Sequence, residues 1–207
     1  MSGAELTDDG LLRRVIAGDE DAFTLLYRRR HPAIFRFALH MCGNAAVAED
    51  VTQEVFMTLI RDAKRFDPAR GTLPAFLFGV ARNHLRKRWE QDRHSAPLLL
   101  EDDALANRLS IHGASGNGNG HGAPADSHDL FASLETIGRV RQAISTLPEN
   151  YREAVVLCEL EEMSYEEAAE ALGCPVGTVR SRLHRGRALL LEKLREPQPV
   201  RRAAVGQ

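Results

Sequence analysis

The chain is predicted to be all-α, with two small helical domains joined by a flexible linker. Apolar residues recur at helical spacing up to Asp92 and again from Leu130 to Arg195, and no stretch alternates as a half-buried strand would. Between these parts, "IHGASGNGNGHGAPADSH" (Ile111 to His128) consists almost entirely of small, polar and glycine residues. Such a segment cannot bury enough apolar surface to offset its ordering entropy, so it reads as a tether. The expected layout is a first domain over 1–94, a linker over 95–129, a second domain over 130–195 and a disordered tail over 196–207.

Punctuation marks the elements in order. "RRRHPAIF" places Pro32 near a helix start, and "HMCGNAA" breaks a helix at Gly43-Asn44. "NAAVAEDVTQEVFMTLIRD" follows as an amphipathic helix, with Ala48, Val51, Val55 and Leu59 on its core stripe. "FDPARGT" is a turn-rich loop leading into a helix that Thr72 is fit to cap, with Pro74 in its first turn. In the second domain "LPENYREAVVLCEL" opens with Pro in the first turn. "SYEEAAEALG" then carries Ser164 and Glu167 at capping-box spacing and stops at Gly173. "VGTVRSRLHRGRALLLEKL" is the last helix, begun after Pro175.

Composition narrows the function classes. Hydrophobic content of 43% and charged content of 27% fit a folded chain with a buried core. No apolar run approaches the roughly 20 residues that span a bilayer, so no membrane insertion is expected. "MSGAELTDDG" lacks the basic and apolar regions of a secretory signal, and Cys42, Cys158 and Cys174 are odd in number and far apart. A cytoplasmic location follows as the expectation. No phosphate-binding glycine loop, CxxC zinc spacing or nucleophile-base signature occurs, so neither enzyme, metal nor cofactor is expected. His112, His121 and His128 sit on backbone too loose to preorganise a metal site.

The informative feature is segregated charge beneath a formal net charge of −2. "ELEEMSYEEAAEAL" is loaded with glutamates, whereas Arg180, Arg182, Arg185 and Arg187 follow with no acid among them. An ordinary solvated helix mixes signs, because like charges at i,i+4 repel. On the last helix Val176, Val179, Leu183 and Leu190 form one apolar stripe, with Gly177, Ser181, His184 and Arg185 facing the other way and Arg180 and Arg182 on the flanks. Two short helices about a glycine turn, the second basic on its outer face, make a helix-turn-helix that can enter a major groove.

The stretch "LPENYREAVVLCELEEMSYEEAAEALGCPVGTVRSRLHRGRALL" resembles the promoter −35-binding domain (region 4) of bacterial RNA polymerase sigma factors of the extracytoplasmic-function group. That resemblance assigns −35 contacts to Thr178, Arg180, Ser181, His184 and Arg185. In the first domain, "AGDEDAFTLLYRRRHPAIFRFA" is similar to the family's opening helix, and "AEDVTQEVF" to the segment that docks on the clamp helices of the polymerase's largest subunit. Asp50, Gln53, Glu54 and Met57 line the face opposite the core stripe; the similarity gives polymerase binding to Asp50, Gln53 and Glu54.

"RFDPARGTLPAFLFGVARNHLRKRWEQDR" sets arginines beside aromatics, a combination suited to single-stranded nucleic acid. It resembles the −10-recognition and strand-opening part of region 2, which implies that Asp67, Arg70, Thr72, Phe76, Arg82, Asn83 and Arg86 meet the opened −10 element. The family resemblance therefore implies a non-catalytic sigma factor whose partners are core RNA polymerase and promoter DNA, with an anti-sigma factor added by analogy alone. A stand-alone helix-turn-helix regulator and a protein-interaction adaptor are the competing readings. Core-polymerase association separates the first from both.

Overall fold

The computed structural model describes residues 7–63, 66–68, 71–95 and 127–195. Its helices are α1 (Asp8–Ile16), α2 (Glu20–Cys42), α3 (Ala45–Asp62), α4 (Leu73–Ser95), α5 (Ser127–Ser145), α6 (Glu149–Val155), α7 (Tyr165–Leu172) and α8 (Val176–Arg195). A single π turn, Val156–Leu160, extends α6. The described residues contain no strand. The tail over 196–207 and nearly all of the expected linker lie outside the described residues; α5 opens at Ser127, so Ser127 to Asp129 are helical.

Side-chain caps set the helix boundaries in the first domain. Thr7 accepts from the Gly10 amide at 3.2 Å, Asp19 from Ala22 at 2.9 Å and Asn44 from Val47 at 3.1 Å. Asp8 then ties α1 to α2 through ion pairs with Arg29 and Arg30. One expectation fails here: Pro32 lies inside α2, not near its start. The helix continues because Leu26 before the proline and Ile34, Phe37, Ala38 and Met41 after it are all buried on one core. Pro32 itself is exposed, so the carbonyl it leaves unbonded one turn back lies on the wet side of the helix. Val51, Val55 and Leu59 of α3 and Leu73, Leu77 and Leu85 of α4 complete that core, with Phe37 edge-on to Phe78 at 5.4 Å.

In the second domain Pro148 is the N-cap of α6. Both capping-box bonds form at α7: Ser164 accepts from the Glu167 amide, and the Glu167 carboxylate accepts from the Ser164 amide. Gly173 ends α7 in the left-handed region at φ 59°, which turns the chain into α8. Gly186 has a different role. A Cβ there would lie 2.7 Å from Val155 Cγ2, so α8 approaches α6 too closely for any side chain.

The two domains are not held apart. Buried apolar residues run without a break from Leu11, Leu26 and Phe37 to Val156, Leu157, Leu172 and Val179. Helix α7 lies along α4, where the Ala171 backbone approaches Gly79. Ala168, Ala169, Ala171 and Leu172 are all buried, since α7 is sandwiched between α8 and α4.

Candidate nucleic-acid interface

Gly43 ends α2 and Asn44 caps α3, whose core stripe points inward as expected, with Ala48, Val51, Val55 and Leu59 buried. Asp50, Gln53 and Glu54 consequently face solvent together, and Met57, 55% exposed, extends the ridge toward the exposed Ile60. Asp50 accepts from Arg88 at 3.2 Å. Both groups are wet, so the pair is worth about 0–1 kcal/mol and leaves the ridge anionic.

The α4 surface is divided. Thr72 accepts from the Ala75 amide at 3.4 Å, which fits its expected capping role, and donates its hydroxyl to Glu167 of α7 at 3.2 Å. Phe76 is half-buried, edge-on to Phe66 at 5.6 Å. Asp67, Asn83 and Arg86 are exposed. Arg70 lies outside the described residues. Arg82 points at the second domain, where its Nε donates to Oε1 of Glu153 at 2.6 Å. Glu153 is fully buried at 0% exposure; burial pushes its carboxyl above the ordinary 4.5, partly offset by Arg82.

On α8 the apolar stripe packs inward through Val179 and Leu183, leaving Arg180, Ser181, His184 and Arg185 exposed and Thr178 half-buried at the helix start. Ser181 donates to the Thr178 carbonyl at 2.9 Å. Arg180 rests over the Tyr165 ring at 5.7 Å, a cation–π contact that orients it along the outer face. Arg187 behaves differently from its neighbours, because its Nε donates to Glu159 of the π turn at 2.9 Å. The arginine run is thus partly compensated from outside its own helix.

Comparison with known proteins places both halves. The family model described as Sigma-70 region 2 matches residues 26–94, and Sigma-70, region 4 matches residues 137–190. The chain is 31% identical over 188 residues to the ECF RNA polymerase sigma factor SigW of Bacillus subtilis, covering 89% of this chain and 95% of the relative. The chain belongs to the extracytoplasmic-function group of RNA polymerase sigma factors. The ECF sigma-E factor of Escherichia coli K12 is 33% identical over 192 residues, covering 92% of this chain and 95% of that one. Among solved structures, the sigma factor RpoE in complex with the anti-sigma factor NepR, from Bartonella quintana, has a TM-score of 0.59 at 27% identity. That match covers 83% of this chain and 96% of the other.

As a sigma factor the chain directs RNA polymerase to promoters and is not itself an enzyme. Membership sets aside the stand-alone regulator. Three features of this sigma factor escaped sequence reasoning: Glu153, Glu161 and the π turn. Burial and then Glu159 raise the Cys158 thiol to about 11, which keeps it protonated at neutral pH. Glu161 accepts bidentately from Arg36 at 3.1 and 2.7 Å, although 125 residues separate them. Only the acid richness of "ELEEM" hinted at such a partner.

Proposed function

We propose that the sigma factor engages its partners through three surfaces. The ridge of Asp50, Gln53 and Glu54 binds the clamp helices of the polymerase's largest subunit. Asp67, Arg70, Thr72, Phe76, Arg82, Asn83 and Arg86 meet the opened −10 element, and Thr178, Arg180, Ser181, His184 and Arg185 meet the −35 duplex. The observation that carries the reading is α3, where a continuous polar ridge stays in solvent while the opposite stripe is fully packed. A ridge tied to its own chain only by the weak Asp50–Arg88 pair and by the field of Glu54 at His84, among the described residues, is available to a partner.

Region 2 over 1–94 and region 4 over 130–195 would then act at separate DNA elements, with the segment over 95–129 as the tether that lets both be engaged at once. Opening needs no nucleotide. Unstacking a base costs a few kcal/mol, and stacking on an aromatic such as Phe76 returns about 1–3 kcal/mol per base. Binding to polymerase supplies the remainder. The site of action is that of the polymerase, the cytoplasm; no described helix is long and apolar enough to cross a membrane. An anti-sigma partner belongs to the same reading, supported by the Bartonella relative solved with one.

Run-off transcription with core enzyme on a promoter library tests the reading. Transcripts from a defined subset, sharing two short elements, are expected. Absence of any stable complex with core polymerase would end it.

A further inference from the structure

The glutamates of the second domain converge on the first domain's basic face. Arg82 of α4 is held by the buried Glu153, and Thr72 at the start of α4 is held by Glu167. Arg36 of α2 is held by Glu161, itself only 4% exposed. Arg152 adds a clasp to neutral acceptors, giving Nη1 across to the Met41 carbonyl at 2.9 Å and Nη2 to the Leu147 carbonyl of its own domain at 2.8 Å. Acidic groups therefore sit where two of the −10-facing residues, Arg82 and Thr72, would meet a phosphodiester strand.

We infer that the acidic segment of the second domain acts as an internal mimic of DNA: it occupies the α4 surface in the free chain and must leave before a −10 strand can bind. The inference rests on the assignment of Arg82 and Thr72 to the −10 surface. It also accounts for the segregated charge, since a glutamate-rich stretch beside an arginine-rich helix serves two surfaces of opposite need.

The mimic is built to release. Glu153 Oε2 is buried with no hydrogen-bond partner, so the Arg82 pair is incompletely satisfied. A buried ion pair with an orphaned oxygen repays little of its desolvation cost. The Arg36–Glu161 pair has its arginine half in water, at 53% exposed, and salt weakens it. The polar pairs thus give the closed form its specificity, while the apolar packing of α7 on α4 gives most of its strength, and DNA competes against both. A closed-to-open ratio of about nine to one would lower apparent DNA affinity about tenfold.

Charge reversal at Arg36, outside all three proposed contact surfaces, provides the test. Arg36→Glu, Glu161→Arg and the double swap are compared in the full chain. X-ray scattering reports compactness without DNA, and anisotropy of a short fluorescein-labelled single-stranded DNA of mixed sequence reports affinity. Either single variant is expected to expand the chain, and the swap to restore it. Arg36→Glu is expected to bind the DNA more tightly, by up to about tenfold, although it adds negative charge. A compact Arg36→Glu chain, with run-off activity intact, overturns the mimic while leaving the sigma-factor surfaces standing. An expanded Arg36→Glu chain that binds DNA no better overturns the assignment of the α4 surface, and the mimic with it.

Discussion

Arg185 and Arg187 are two positions apart on α8 and both exposed, yet they should behave differently on DNA. Arg187 is paired with Glu159, so the two carry no net charge together, whereas no carboxylate is paired with Arg185 among the described residues. Each phosphate contact contributes about 0.9 to the slope of log affinity against log salt. Arg185→Ala should therefore flatten that slope by about 0.9, or about 3.5-fold in affinity between about 50 and 200 mM salt. Removing Glu159 and Arg187 together, as Glu159→Ala with Arg187→Ala, deletes a neutral unit and should leave the slope unchanged. The assay is anisotropy of a labelled −35 duplex, chosen by promoter-library transcription, titrated with reconstituted holoenzyme over a salt series. Equal flattening by the double variant and by Arg185→Ala would refute the reasoning, because Arg187 would then have left Glu159 for the DNA.

Charge reversal of the α3 ridge, Asp50→Lys with Glu54→Lys, should abolish co-purification with core polymerase while leaving the thermal midpoint within a degree or so, since both side chains are exposed. Gly186→Ala should destabilise the chain by about 1–2 kcal/mol in a urea titration, because overpacking against Val155 outweighs the gain in helix propensity. His40 is held below its ordinary 6.5 by burial and then by Arg141, Arg36 and Arg152. The unfolded chain thus binds its proton more readily, so this contribution is complete above about pH 6.5 and is lost as pH falls below it. The denaturation midpoint at about pH 5.5, taken relative to that at about pH 7.5, should be lower in the wild type than in His40→Gln. Glu153 and Glu161, whose carboxyls are raised by burial, act in the opposite sense but are common to both proteins.

Local chemistry made much of this molecule legible from sequence. Gly43-Asn44 could be read as a helix break because the backbone and side-chain demands there are satisfied within a few residues. The Ser164–Glu167 box, the Gly173 turn, the inward stripe of α3 and the outward face of α8 follow from the same short-range rules of spacing and capping. Pro32 lies inside a helix and not near its start because burial on both sides of it outweighs one lost hydrogen bond.

The tertiary structure alone decided how the charges are matched. Whether Arg82 faces solvent or Glu153, and whether Arg187 is a free cation or half of a pair with Glu159, depends on which surfaces the packing of α7 against α4 and α8 brings together. Periodicity says which side of a helix is polar. It carries no information on what lies across from that side, because the Coulomb partner of a side chain is set by distance in space, here 125 residues along the chain for Arg36 and Glu161.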